Sequence, residues 1–223
     1  MSIHAVKREQ ANLAWDNRYA WFPHSPHLFI RPLYSIPPVL TVSSGSTVHF
    51  SCLDASNGQI NPTSTVASVT AMKVELCDQV NGPVYVEGAM PGDTLQIDVI
   101  DVQAADWGWT ALIPGFGLLA DEFPEPALKI WDLTQNAGEG VGTGGVQRYA
   151  YLKKEKGIRV PLHPFPGEMG VARGAKGAWS TIPPYVTGGN LDTKHLTKGS
   201  TLYLPVEVEG ALFAIGVRLG FSL

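Results

Sequence analysis

The sequence predicts a mainly β protein, a sandwich or barrel-like arrangement of short strands joined by long loops. Three features carry this expectation. The 223 residues include 24 Gly and 17 Pro, scattered without a period, so the chain is broken often by turns and is neither collagen-like nor of low complexity. Within 94–102, apolar Leu95, Ile97 and Val99 alternate with polar Thr94, Gln96 and Asp98, the period of two of a strand with one buried face. No long amphipathic helix and no internal repeat of fixed period can be read anywhere.

Taken in order, the elements begin with an extended entry segment at 21–26, whose prolines and aromatics exclude a helix interior. A β-prone run at 46–53 ends in a turn over 54–60, marked by Asn57-Gly58. A short strand at 83–87 and the strand at 94–102 flank the tight-turn signature Pro91-Gly92-Asp93, and the two are expected to form a hairpin-like unit. The stretch 104–156 is the least readable. Trp107-Gly108-Trp109 and Pro114-Gly115-Phe116-Gly117 suggest an aromatic loop. Residues 138–145 hold five Gly in eight positions; without a Gly-Lys-Ser/Thr ending or a following helix they read as a flexible loop, not a phosphate cradle. Further strands are expected at 158–162, 199–206 and 211–216, with Glu209-Gly210 as a hairpin turn between the last two and a short helix near 193–196. The whole of 1–223 is expected to be one domain, with 104–156 the one place where a subdivision is considered.

Bulk properties narrow the function. With 44% hydrophobic residues, 16% charged residues and a net charge of −4, the chain is expected to fold around a core and to offer nothing to nucleic acid. The densest basic run, Lys153-Lys154-Glu155-Lys156, carries its own acid and reads as a solvated turn. Cys52 and Cys77 make neither a disulfide framework nor a four-cysteine zinc site, so both are expected reduced and at least partly buried. Residues 1–17 lack the apolar core of a signal peptide, and no run of about 18 apolar residues suggests a membrane span, so the expected compartment is the cytoplasm.

The common catalytic signatures are absent: no Gly-x-Ser-x-Gly, no His-Glu-x-x-His, no Gly-x-Gly-x-x-Gly opening a helix. Polar residues at strand exits stand out instead, because a rigid scaffold presents reactive groups there. They are Asp54, Glu87, Asn190 and Asp192. Each also has a plain structural reading. Asp54 with Ser56 can make an Asx-turn, Glu87-Gly88 and Asp93 suit turns, and Asn190 after two glycines suits a left-handed position. His49 and His163 read as structural histidines within strands and His195 as part of a surface turn.

Five blocks in one order resemble the acetamidase/formamidase family. Gly82-Pro83-Val84-Tyr85-Val86-Glu87-Gly88-Ala89-Met90-Pro91-Gly92-Asp93-Thr94-Leu95 resembles its "GPxxVEGAxPGDxL" block. Phe50-Ser51-Cys52-Leu53-Asp54 running into Gly58-Gln59 is similar to its early block. Pro161-Leu162-His163-Pro164-Phe165-Pro166-Gly167-Glu168-Met169-Gly170-Val171-Ala172 resembles "PLxPFxGxxGVAP", with Arg173 where the last Pro is expected. Pro183-Pro184-Tyr185 with Gly188-Gly189-Asn190-Leu191-Asp192 matches "PPxxxGGNxD", and residues 199–212 match "GSTLYLPVxVxGALF".

The resemblance implies hydrolysis of a short linear amide, such as formamide or acetamide, to ammonia and a carboxylate. It also admits a divalent metal, zinc or calcium, held by carboxylates and His; such an ion would polarise the carbonyl and lower the pKa of bound water. On that basis Asp54, Asn190 and Asp192 are the candidate catalytic residues, and Asp54 and Glu87 the candidate metal ligands, with Asn190 facing the tetrahedral oxyanion and Asp192 orienting it or the water. Asp54, Glu87 and Asn190 are expected to converge on one cleft. The partners are a small amide substrate and a homo-oligomer, without nucleic acid or membrane. After Gly216 the sequence departs from the family's Gly-Asp-x-His-like block, reading Val217-Arg218-Leu219-Gly220-Phe221-Ser222-Leu223. The chain is therefore expected to be a truncated form, weakly active or inactive, with strands 201–206 and 211–215 left without partners and prone to association. The alternative is a non-catalytic homologue serving as a binding or assembly module.

Overall fold

The structure is a computed structural model describing residues 2–7, 11–12, 14–16, 36–134 and 148–221, with main chain alone for 11–12, 14–16 and 217–221. Strands β1 (Ile3–Val6), β2 (Ala11–Asn12), β3 (Ala14–Asp16), β4 (Leu40–Val42) and β5 (Thr47–Phe50) precede a short helix, α1 (Val66–Ala71). Then come β6 (Val80–Val86), β7 (Thr94–Asp98), β8 (Trp107–Leu112), β9 (Ala127–Asp132), β10 (Tyr149–Lys153) and β11 (Ile158–Gly170). The series ends with β12 (Ala178–Ser180), β13 (Gly188–Asn190), β14 (Thr201–Pro205) and β15 (Phe213–Phe221). The mainly β expectation holds, and the sheets are open.

One seven-stranded sheet organises the molecule. Its path is β10-β11-β15-β6-β2, with β13 added to β11 and β4 to β6. At its centre β15 lies antiparallel between β11 and β6, pairing Glu168 with Gly216, Gly170 with Ala214, and Gly216 with Val80. Two-stranded sheets surround it: β1-β5, β3-β12, β7-β14 and β8-β9. The longest strand, β11, carries Pro161, Pro164 and Pro166. It survives them because its register against β15 shifts between Leu162 and Phe165, where Pro164 falls and a missing N–H costs no ladder bond.

The alternation at β7 works as expected. Leu95 and Ile97 pack against a core cluster that contains Val99, Met169, Val171, Leu204, Val206 and Phe213. Cys52 and Cys77 are half-buried and are not joined in a disulfide. The turn at Pro91-Gly92-Asp93 closes with Asp93 N–H donating to Met90 O at 3.0 Å, and Gly92 at φ 99° takes the left-handed position of a type II turn.

Several local expectations give way to long-range pairing. Residues 83–87 and 94–98 do not form a hairpin, since β6 pairs with β15, β4 and β2 whereas β7 pairs with β14. For the same reason Glu209-Gly210 is not a hairpin turn, and strands 201–205 and 213–216 both have partners. Trp107-Gly108-Trp109 is not a loop but the start of β8, in a six-residue antiparallel register with β9. The expected helix near 193–196 is a turn, with Leu196 N–H donating to Thr193 O at 3.1 Å. The helix lies at α1 instead, where Thr65 N–H donates to Ser68 Oγ at 3.3 Å across the first turn. The expected segments at 21–26 and 138–145 lie outside the described residues. No described helix is long and apolar enough to cross a membrane.

Candidate active site

Side chains alternate across a sheet, so register defines two faces at β11-β15-β6. Met169, Phe213 and Ile215 point into the large core. Glu168 points the other way, level with Asn190 on β13 and Gly216 on β15. It is 0% exposed, and among the described residues neither carboxyl oxygen has a hydrogen-bond partner. Gly216 makes the position possible. A Cβ there would overlap the main-chain oxygen of Gln79 and come within 2.9 Å of Glu168 Oε2.

Two further carboxylates flank this acid, each on a residue with left-handed backbone: Asp78 at φ 57° and Asp192 at φ 42°. Such conformations are costly for residues with a side chain and persist where surrounding bonds enforce them. Asp78 N–H donates to Ala55 O at 2.9 Å. Leu191 and Asp192 both donate their N–H to Gly167 O, at 2.9 and 3.0 Å, which docks Asp192 beside Glu168. Burial pushes Glu168 up from 4.5 to about 9, and the charges of Asp78 and Asp192 add to the shift. Burial also raises Asp78, helped by the charge of Asp192, and raises Asp192 itself. At neutral pH Glu168 therefore holds its proton, and burial shifts Asp78 and Asp192 beside it in the same direction.

Of the residues singled out from sequence, three belong to this end of the sheet. Asp54 is tied to it through its main-chain oxygen, which accepts from Gln79 Nε2 at 3.0 Å. Its carboxylate is fully engaged: Oδ2 accepts from Ser56 N at 2.9 Å, Ser56 Oγ at 2.5 Å and Trp109 Nε1 at 2.7 Å, and Oδ1 accepts from Gly58 N at 3.1 Å. The Asx-turn is thus formed. Asn190 is level with Glu168 and donates Nδ2 to Ile182 O at 2.9 Å. It does not take the left-handed position; Gly188, Gly189 and Asp192 do.

Glu87 lies elsewhere. It is exposed just past the far end of β6, accepting from Ser43 Oγ at 2.6 Å. The strand that brings Val80 to Gly216 carries Glu87 seven residues on, roughly 20 Å away at strand rise. The single cleft expected to unite Asp54, Glu87 and Asn190 is therefore not formed. His49, His163 and His195 are exposed.

Two members of the cluster escaped the sequence reading, Asp78 and Glu168. For Glu168 a signal existed. It is the one acid in the small and apolar run Pro166-Gly167-Glu168-Met169-Gly170-Val171-Ala172, and a charge is seldom buried that way unless something uses it. Among the described residues no group of three His, Cys, Asp or Glu side chains meets at metal-holding distance. The donor set described does not fit a three-ligand metal centre.

Comparison with known proteins converges on one family. The model of the Acetamidase/Formamidase family matches residues 24–177 and 171–218. The chain is 29% identical over 235 residues to an acetamidase from Mycolicibacterium smegmatis, covering 84% of this chain and 58% of that protein. It is 30% identical over 223 residues to a formamidase from Methylophilus methylotrophus, covering 81% of this chain and 54% of the relative. The chain thus spans a little over half the length of these relatives. The crystal structure of an acetamidase from Bacillus halodurans superposes with a TM-score of 0.75 at 26% identity, over 97% of this chain and 67% of that one. With the five sequence blocks and the shared sheet, the chain belongs to the acetamidase/formamidase family.

Proposed function

We propose that the protein hydrolyses the C–N bond of short linear amides of the formamide and acetamide type, with Glu168 as the proton donor. One observation supports this beyond family membership: a buried acid, without a hydrogen-bond partner among the described residues, that keeps its proton at neutral pH beside the carboxyl groups of Asp78 and Asp192. Amide hydrolysis needs a proton donor and a base. An ionised Asp192 takes a proton from the attacking water. The hydroxide forms a C–O bond at the carbonyl carbon, and the π electrons move onto oxygen. Asn190 keeps one N–H after its bond to Ile182, and that donor faces the oxyanion. Collapse breaks the C–N bond as Glu168 protonates the leaving nitrogen. Ammonia and the carboxylic acid leave, and the proton held by Asp192 passes back to the neighbouring Glu168. Asp54, saturated by its four bonds, positions the 54–60 turn.

The test is ammonia release from formamide and acetamide by the protein and its Glu168→Gln variant. We expect kcat to fall about 10²–10⁴-fold in the variant, the range for removing a proton-transfer group. Wild-type rates in Glu168→Gln would sink the assignment of Glu168, and absence of ammonia release from both amides by the wild type would sink the reaction. For the 223-residue polypeptide taken alone we expect turnover below ordinary enzyme rates of about one per second, because residues 217–223 depart from the family's Gly-Asp-x-His-like block.

A further inference from the structure

The other face of the central sheet, away from Glu168, opens on a cleft of about 560 Å³ that the amidase reading leaves without a role. Such a volume lies in the range of about 300–1,000 Å³ that holds drug-sized ligands, far more than an amide of one or two carbons fills. Its floor is apolar, made by Met169, Phe213 and Ile215 with Phe50 and Leu95. Its two walls are strands seen edge-on. Every residue from Val42 to Cys52, through β5, and every residue from Leu95 to Gln103, through β7, borders the cleft. A strand that offered only a face would contribute alternate residues. Both edges are open: among the described residues β5 pairs with β1 alone and β7 with β14 alone. On β5, Thr47 and Ser51 donate their N–H to Ser2 O and Val6 O, each at 3.0 Å, so Val48 and Phe50 turn theirs to the open side. On β7, Val99 N–H donates to Ser200 O at 2.9 Å and Asp93 O accepts from Val206 N–H at 2.9 Å, so the main-chain groups of Gln96 and Asp98 face away from β14. The cleft is acidic as well. Asp98 and Asp101 border it, and no lysine or arginine does. Lys198 meets Asp101 at 3.3 Å. Asp98 accepts from Gln96 Nε2 and from Thr201 Oγ1 at 2.7 Å, bonds that leave its charge unbalanced.

We propose that this cleft binds an extended segment of a partner polypeptide, laid as a third strand on the open edge of β7, apolar at alternate positions and carrying lysine or arginine beside Asp98. A main chain is the ligand that supplies donors and acceptors at the two-residue repeat of about 6.8 Å that Gln96 and Asp98 present. On a strand added there, one set of alternate side chains falls on the same face as Leu95 and Ile97, which pack on the core, and covers the apolar floor. The other set falls beside Asp98, where a cation balances the charge. Ile3 and Ile100 border the cleft yet are 78% and 58% exposed, and both gain cover from an added strand. The site lies across the sheet from Glu168, so it is separate from the proton donor.

The experiment titrates the protein into a fluorescently labelled peptide, acetyl-Lys-Val-Thr-Val-Thr-Val-Thr-Lys-amide, and reads anisotropy. We expect saturable binding with Kd below about 1 mM. The same peptide N-methylated throughout keeps its charge and apolar content but cannot pair as a strand, and it should bind at least about tenfold more weakly. Replacing both lysines by glutamate should weaken binding at low salt and matter less as salt rises. On the protein side, Gln96→Pro removes an N–H that faces away from β14, a position where an edge strand tolerates proline, and should also cost about tenfold or more in affinity. If that variant does not fold, the N-methylated peptide on the wild type remains decisive. No binding by the first peptide, equal binding by its N-methylated form, or unchanged affinity in folded Gln96→Pro would overturn the site. A wild-type dimer that dissociates in Gln96→Pro without any peptide, seen by light scattering, would put a second copy in the cleft and overturn the assignment to a partner.

Discussion

Glu168 makes a prediction that its burial alone dictates. Its folded value, about 9, lies far above the ordinary 4.5. A group with a raised folded pKa contributes its full stability below the unfolded value and loses it as pH rises toward the folded one. The loss here runs from about 4.5 to about 9, and the raised Asp78 and Asp192 add to it in the same direction. Each pH unit across that window removes at most about 1.4 kcal/mol for one group. Glu168→Gln keeps the shape without the proton to hold. We expect the wild type to lose about 1–3 kcal/mol more than this variant between pH 5 and pH 8, read as urea midpoints. Parallel profiles would mean that Glu168 is not buried as described. The variant should thus be more stable and less active in alkaline buffer, the exchange expected where an acid is kept for function.

At the scale of elements, the 54–60 turn is the piece whose role the bonding decides. Four hydrogen bonds converge on one carboxylate, one of them from Trp109 on β8, and bonds to charged acceptors contribute about 1.5–3 kcal/mol each. Asp54→Ala should cost several kcal/mol, whereas Trp109→Phe, which removes one donor, should cost about 1–3 kcal/mol; thermal unfolding of both checks this. Equal losses would show that the turn does not depend on Asp54. The same turn was legible in sequence, because Asp, Ser and Asn-Gly act locally. So was β7, whose alternation needs no knowledge of its partner. What could not be read is which strand pairs with which. The strand β15 fits between β11 and β6, segments about 50 and 130 residues earlier in the chain, and nothing local to Ala211-Leu212-Phe213 encodes that. The strand expected at 158–162 runs on to Gly170 because the register shift that tolerates Pro164 is a property of the pair with β15. Glu168 was hidden for a related reason: the strands and the carboxylates that make it an acid come from elsewhere in the chain.

At the scale of the whole molecule, the β8-β9 hairpin ends in a tip that the rest of the described structure leaves bare. Phe116 is 73% exposed, Leu118 101%, Leu119 54% and Phe123 52%. Isolated exposed apolar residues are ordinary, but four within one short connection are a concentration of the kind that associates. Fully burying such a side chain contributes about 1.5–3 kcal/mol, so the four together offer about 6–12 kcal/mol. Association costs about 4–15 kcal/mol in lost freedom. The upper part of the first range exceeds the lower part of the second by several kcal/mol, which predicts at most weak self-association of the 223-residue polypeptide, visible at about 100 µM, where a net of about 5–6 kcal/mol suffices, and absent near 1 µM, where about 8 kcal/mol is required. Light scattering during size exclusion across that range checks it. Because the contact is apolar, raising salt should strengthen it, which separates it from pairing through the basic run at 153–156. Phe116→Asp with Leu118→Lys should abolish it while leaving unfolding midpoints unchanged, as both side chains are exposed and contribute little to the folded core. A polypeptide that stays monomeric at 100 µM in high salt, or a double variant that associates as the wild type does, would move the sticky surface away from this tip.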